Sequence, residues 1–270
     1  MNELRERLDK KRRSGEKSFI AFLMAGDPDE STTYEAALHL INAGVDVIEV
    51  GVPHSDPVAD GPTNQASMLR ALAGGMTLPR AIRLAGRIAG HGVPVVLFTY
   101  LNPILKMGLD VFASQARLSG VSGVLAVDLP PEEARDYFQR MEAHGLATVF
   151  LASPTTTPER LALVDSISTG FVYYVSRAGV TGARSSLSPT LARELIQVRE
   201  RVKGPLCVGF GISTPEQVVA VAEMADGVVV GSCLVESLNG PDPLHAIERR
   251  ARELIRPLQV YTKKESKCLS

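Results

Sequence analysis

Cysteine is scarce in these 270 residues: Cys207, Cys233 and Cys268 are odd in number and share no paired spacing. That argues against a disulfide framework or a zinc site and fits a reducing cytoplasm. Neither sign of charge dominates, with 29 Lys and Arg against 30 Asp and Glu. A formal net charge of −1 offers no electrostatic footprint for nucleic acid. The basic cluster Lys10-Lys11-Arg12-Arg13 lies among Glu3, Glu6, Asp9 and Glu16 with no apolar signal core, so it reads as a solvated helix end rather than a targeting segment. No apolar run is long enough to span a membrane. There is no dinucleotide fingerprint and no metal-ligand cluster, and no segment that reads as a strand carries a lysine.

What the chain does have is one carboxylate in the wrong place. Glu49 interrupts the apolar run from Val45 to Val52, which is short, β-branched and bounded by Gly44 and Pro53, and so reads as a buried strand. With a period of two, Ile48, Val50 and Val52 share one face while Val47, Glu49 and Gly51 share the other. Glu49 then points inward near the strand's C-terminal end. Burial raises the pKa of an unpaired carboxyl, which suits it to general acid or base work near neutral pH; a structural Glu paired with an Arg is the alternative.

Eight candidate strands recur with helices between them: Phe19 to Met24, Val45 to Val52, Val93 to Tyr100, Val121 to Asp128, Ala147 to Ala152, Phe171 to Ser176, Pro205 to Phe210 and Gly227 to Gly231. Most are continuous apolar runs, the pattern of a parallel sheet covered by helices. Thr157-Pro158, Ser188-Pro189 and Thr214-Pro215 read as capped helix starts, and Gly44, Gly90 and Gly145 as helix stops. Eight βα units without a linker, in a chain near the usual ~250 residues, predict an α/β protein folded as a single (β/α)8 TIM barrel domain over 1–270; an open doubly wound sheet remains the alternative. A charged segment carrying Leu4 and Leu8 predicts an extra N-terminal helix capping the barrel's bottom, and the polar residues 263–270 read as a disordered tail.

Two long connections leave the barrel's C-terminal face, one from Pro53 through Gly61 and one from Arg177 through Leu187, and loops of that kind are commonly lids. The first would hold Asp60 over the mouth into which Glu49 opens, although Asp60-Gly61 is also an ordinary turn dipeptide. Gly209, Gly211 and Ser213 after strand seven, and Gly231 and Ser232 after strand eight, fall where barrels often bind phosphate, with Gly182 able to close the site from a third side. Tight turns would explain the same glycines.

Six stretches, Phe19 to Pro28, Glu49 to Gly61, Tyr100 to Pro103, Ala126 to Pro130, Tyr173 to Gly182 and Gly209 to Ser213, occur in order over nearly the whole chain and closely resemble the tryptophan synthase α subunit family. The resemblance implies a lyase for the last step of tryptophan biosynthesis. It would cleave indole-3-glycerol phosphate to indole and glyceraldehyde 3-phosphate without metal or organic cofactor. The implied partner is a pyridoxal-phosphate β subunit in an α2β2 complex. On this chain the resemblance makes Glu49 the acid/base and Asp60 the acceptor for the indole N–H. Phe22, Tyr100, Leu125 and Tyr173 become pocket walls, and Gly182, Gly211, Ser213, Gly231 and Ser232 the phosphate site. Arg177 and Thr181 fall on the lid, and Thr181 would reach Asp60 on closure. His54 and Asp56 would face the partner; His54, where the family usually has Phe, reads as a solvated ring, and Asn64 replaces a usual apolar residue. Two rivals stay open: another phosphate-binding barrel enzyme, and a catalytically weak allosteric partner of the β subunit.

Overall fold

A computed structural model describes residues 2–175, 189–209 and 211–268, with side chains described through residue 259 and from 192 on in the third quarter of the chain. Asn2 caps the first helix, α1 (Glu3–Arg13), by accepting from the Leu4 N–H. Then strands and helices alternate: β1 (Ser18–Met24), α2 (Glu30–Ala43), β2 (Val47–Gly51), α3 (Pro62–Ala73), α4 (Leu78–Ala89), β3 (Val95–Thr99), α5 (Leu101–Met107), α6 (Leu109–Leu118) and β4 (Gly123–Ala126). After a short 3-10 turn come α7 (Arg135–Ala143), β5 (Ala147–Thr148), β6 (Phe150–Ala152), α8 (Pro158–Ile167) and β7 (Val172–Val175). The last third holds α9 (Pro189–Arg201), β8 (Leu206–Gly209), α10 (Pro215–Ala222), β9 (Gly227–Val230), α11 (Ser232–Ser237) and α12 (Pro243–Cys268).

All the strand pairings are parallel, in the order β5-β4-β3-β2-β1-β9-β8-β7-β6. The expected fifth strand is the one that divides. Its first half pairs with β4 and its second with β7, and Val149 between them donates to the Val124 carbonyl at 3.0 Å. One chain segment therefore reaches both neighbours, and the nine strands form a nearly closed barrel rather than an open sheet.

Two cores result. Outward-facing strand residues pack with the helices, while Ile20, Val47, Val96, Leu125, Val149, Phe171, Tyr173, Cys207 and Val229 fill the barrel with Leu4 and Leu8 of α1. Gly123 and Gly170 explain how α1 gets in: a Cβ at either would lie 2.9 Å from Leu4 Cδ2, inside contact distance. α1 thus closes the barrel's bottom, as its two leucines predict. At the other end of the chain α12 runs to Cys268, so residues 263–268 continue a helix where the polar composition had suggested a disordered tail.

The caps follow the sequence. Thr157 accepts from Arg160 N–H, Thr214 and Gln217 form a capping box, and Gly44 ends α2 at φ 98°. Ser188 lies outside the described residues, as does Phe210 at the expected end of the seventh strand.

Candidate functional site

The β2 register puts Glu49 opposite Phe22 of β1 and Val96 of β3, and Val96 belongs to the inner core. Glu49 is 1% exposed and its Oε1 has no hydrogen-bond partner. The pairing with an Arg that could have made it structural is absent among the described residues. Burial alone raises its carboxyl to about 8, so it is mostly protonated at neutral pH.

Asp60 is held from several directions on the loop after β2. Its own N–H donates to Pro57 O at 3.1 Å, which closes the turn. Tyr100, the residue after β3, donates its hydroxyl to Asp60 Oδ2 at 2.7 Å and accepts the Ala59 N–H at 3.1 Å. Asn64, on the first turn of α3, adds a longer bond to Oδ1 at 3.4 Å. Burial raises the Asp60 carboxyl, and the Tyr100 and Asn64 bonds pull it partly back. Asp60 thus sits among polar partners that Glu49 lacks.

Tyr173 relates them. It belongs to the inner core beside Phe171, with its hydroxyl pushed up first by burial and then by the charges of Glu49, Cys207 and Asp60. Both carboxylates thus bear on the same phenol. Leu125 is fully buried in the same inner core, and Phe22 meets Phe98 edge-on at 5.4 Å. Of the expected pocket walls, Leu125 and Tyr173 share the inner core, and Phe22 packs on Phe98, which borders it. Tyr100 is buried too, but its visible work is to hold the Asp60 loop.

Two of the strand-end glycines have a second reason to be glycine. A Cβ at Gly51 would meet Phe22 Cζ at 2.6 Å, and one at Gly209 would collide with the Tyr173 hydroxyl. These positions admit aromatic rings as much as they admit a ligand. Gly211 (φ 71°) lies in the left-handed region that favours glycine, and Ser213 turns its N–H to Gln217 Oε1 at 2.8 Å. Gly231 and Ser232 open α11, where Leu234 N–H and Val235 N–H return to Gly231 O. Gly211, Ser213, Gly231 and Ser232 line the ends of neighbouring strands β8 and β9. Gly182 and the lid residues Arg177 and Thr181 lie outside the described residues.

His54 departs from the sequence reading. It is half-buried and stacks on Tyr100, with ring centroids 4.5 Å apart and planes 21° from parallel, rather than standing free in solvent. Asp56 is exposed, and no ion pair joins it to His54. Reading the sequence also missed Asp27. It is buried, accepts two bonds from Arg70 at 2.6 and 2.8 Å and one from Ser67, and so ties the β1 exit to α3 behind the Asp60 loop. The Asp-Pro pair had registered only as part of a motif.

The family model described as tryptophan synthase alpha chain matches residues 8–265. The chain belongs to the tryptophan synthase alpha chain family. Among its relatives, the tryptophan synthase alpha chain of Laribacter hongkongensis is 46% identical over 262 residues, covering 94% of this chain and 99% of that protein. That of Citrifermentans bemidjiense is 49% identical over 237 residues, covering 87% and 89%. Among solved structures, tryptophan synthase subunit alpha from Legionella pneumophila str. Paris superposes with a TM-score of 0.90 at 36% identity over 96% of this chain and 99% of that one. An open form of tryptophan synthase from M. tuberculosis gives a TM-score of 0.88 at 34% identity, again over 96% and 99%. As a member of the family, the chain is a carbon–carbon lyase acting on indole-3-glycerol phosphate. Among the described residues no helix is long and apolar enough to cross a membrane, and no group of three His, Cys, Asp or Glu could hold a metal ion.

Proposed function

We propose that Glu49 and Asp60 divide the acid–base work of this cleavage between them. The observation that carries the reading is the buried Glu49 carboxyl, with no partner at Oε1 and raised to about 8, on the strand that leads into the loop holding a hydrogen-bonded Asp60. Two carboxylates in unlike environments suit unlike roles.

Indole is a poor carbanion leaving group, so the ring carbon bearing the glycerol chain must gain a proton before the carbon–carbon bond breaks. Neutral Glu49 donates it. The positive charge that develops on the ring nitrogen is met by Asp60, accepting from the indole N–H. Glu49, now a carboxylate, takes the hydroxyl proton from the adjacent glycerol carbon. The bond electrons return to the ring, which leaves as indole, and the hydroxyl carbon becomes the aldehyde of glyceraldehyde 3-phosphate. Glu49 ends protonated, as it began, so the cycle balances within the side chain.

Phe22, Leu125 and Tyr173 would hold the indole, and Gly182, Gly211, Ser213, Gly231 and Ser232 the phosphate, whose binding energy fixes the reacting bond against Glu49. Arg177 and Thr181 would belong to the closing lid, with Thr181 meeting Asp60. This reading assigns neither metal nor organic cofactor to the chain and leaves pyridoxal phosphate to the β subunit. For that partner in an α2β2 complex, the supporting surface surrounds Asp60's loop. Val58 on the loop, Leu69 on α3 and Leu105 on α5 are all more than half exposed, beside His54 and Asp56. Release of glyceraldehyde 3-phosphate from indole-3-glycerol phosphate, read through a coupled dehydrogenase with and without β subunit, tests the reading. Weak turnover that rises with the partner supports it, and none in either condition removes it.

A further inference from the structure

Ser213 has two backbone groups and both are already taken. Its N–H goes inward to Gln217 Oε1, and its carbonyl accepts from Nη2 of Arg250 on α12. The Cys233 thiol on α11 donates to the Ile212 carbonyl at 3.6 Å. The loop after β8 is therefore held at two successive carbonyls: Arg250 from the C-terminal helix anchors Ser213, and Cys233 ties Ile212 to the first turn after β9.

Its charge does not act freely across the site. Nη1 lies 2.7 Å from Glu253 Oε2, one turn along the same helix. What Arg250 supplies is the fixed fork of a planar guanidinium, able to hold two acceptors at set angles, which an ammonium cannot reproduce. The Arg250 side chain is 29% exposed, so it lies against the loops rather than out in bulk solvent.

We infer that Arg250 is a positioning residue for the phosphate end of the substrate, setting the spacing between the Gly211–Ser213 loop and the Gly231–Ser232 turn without touching the ligand. The inference rests on the phosphate assignment above and deepens it. A side chain that only stabilised the fold would, when removed, weaken all ligands alike. One that sets this spacing would weaken phosphate alone.

The test uses Arg250→Met and Arg250→Lys in the full chain, with thermal melts and two probes. Inorganic phosphate reads the loops, and indole reads the apolar pocket. In Arg250→Met the Kd for phosphate is expected to rise about 10-fold while that for indole stays within about 2-fold. Turnover of indole-3-glycerol phosphate should show the same split, with KM raised about 10-fold and kcat little changed. Arg250→Lys, which keeps one of the two bonds, should fall between. Unchanged phosphate binding in a folded variant, or equal loss of both probes, overturns the inference. If Arg250→Met does not fold, the phosphate-to-indole comparison in Arg250→Lys decides it alone. A wild-type chain that binds phosphate but cleaves nothing indicts the reaction assignment, while the phosphate Kd still reads Arg250.

Discussion

A single proton on Glu49 links stability to activity. The folded chain holds it up to about pH 8, whereas the ordinary value is 4.5. Between those two values the native state binds a proton that the unfolded chain has released, so stability falls as pH rises through the window, and the full cost stands above about pH 8. Glu49→Gln removes this dependence. The variant should gain on the wild type by up to roughly 1.4 kcal/mol per pH unit across the window in denaturant melts. Its cleavage rate should drop by about 100-fold or more, the usual worth of a positioned acid–base group. Substantial residual turnover would take Glu49 out of the central role. Tyr100→Phe is milder: it frees both Asp60 and the Ala59 N–H, and kcat should fall about 10-fold with little change in melting temperature. His54 bears on the same loop through its stack with Tyr100. His54→Ala removes the stacked ring, and kcat/KM should fall about 2- to 5-fold in the coupled assay; an unchanged value discards the idea.

At the scale of elements, the helix α1 makes the clearest claim. Its Leu4 and Leu8 belong to the barrel's interior rather than to the outer core. Leu4→Ala should cost about 2–4 kcal/mol, because the two glycines facing it cannot fill the gap, while kcat is unchanged since the plug lies at the end opposite the mouth. Equilibrium denaturation beside the coupled assay checks both halves. Elements are also where sequence and structure can be weighed. The eight apolar runs were legible because burial on both faces demands unbroken hydrophobicity, and the caps because proline and hydroxyl residues have local jobs. The division of the fifth run at Val149 was not legible, since it depends on which neighbour each half meets. Nor was the helix through residues 263–268, where polar composition speaks for solvent and says nothing against helix. Glu49 could be read from one strand's alternation. The stack of His54 on Tyr100, the Asp27–Arg70 pair and the reach of Arg250 to Ser213 could not, because each joins residues more than thirty positions apart.

For the whole molecule, α12 packs against α2 on one side and α10 and α11 on the other, so the last helix straps the first part of the barrel to the last. His39 of α2 meets Glu248 of α12, and Arg252 reaches the Asn42 carbonyl at 2.9 Å. On the reading proposed above, the β subunit would approach over Val58, Leu69 and Leu105, none of which lies on α12. Val58→Asp should therefore leave the isolated chain's turnover intact and reduce its stimulation by β subunit severalfold, measured by titrating the partner into the coupled assay.

The leucine plug also decides where solvent isotope can enter. A barrel stoppered at its base has one opening, and a bound substrate fills it. On the proposed mechanism, the hydrogen that Glu49 would lift from the glycerol hydroxyl would be confined with the carboxyl until product leaves, and its exchange with the medium would be timed by departure rather than by chemistry. In deuterated water the label appearing on the released indole should lag at the first turnover of a preformed complex and catch up afterwards.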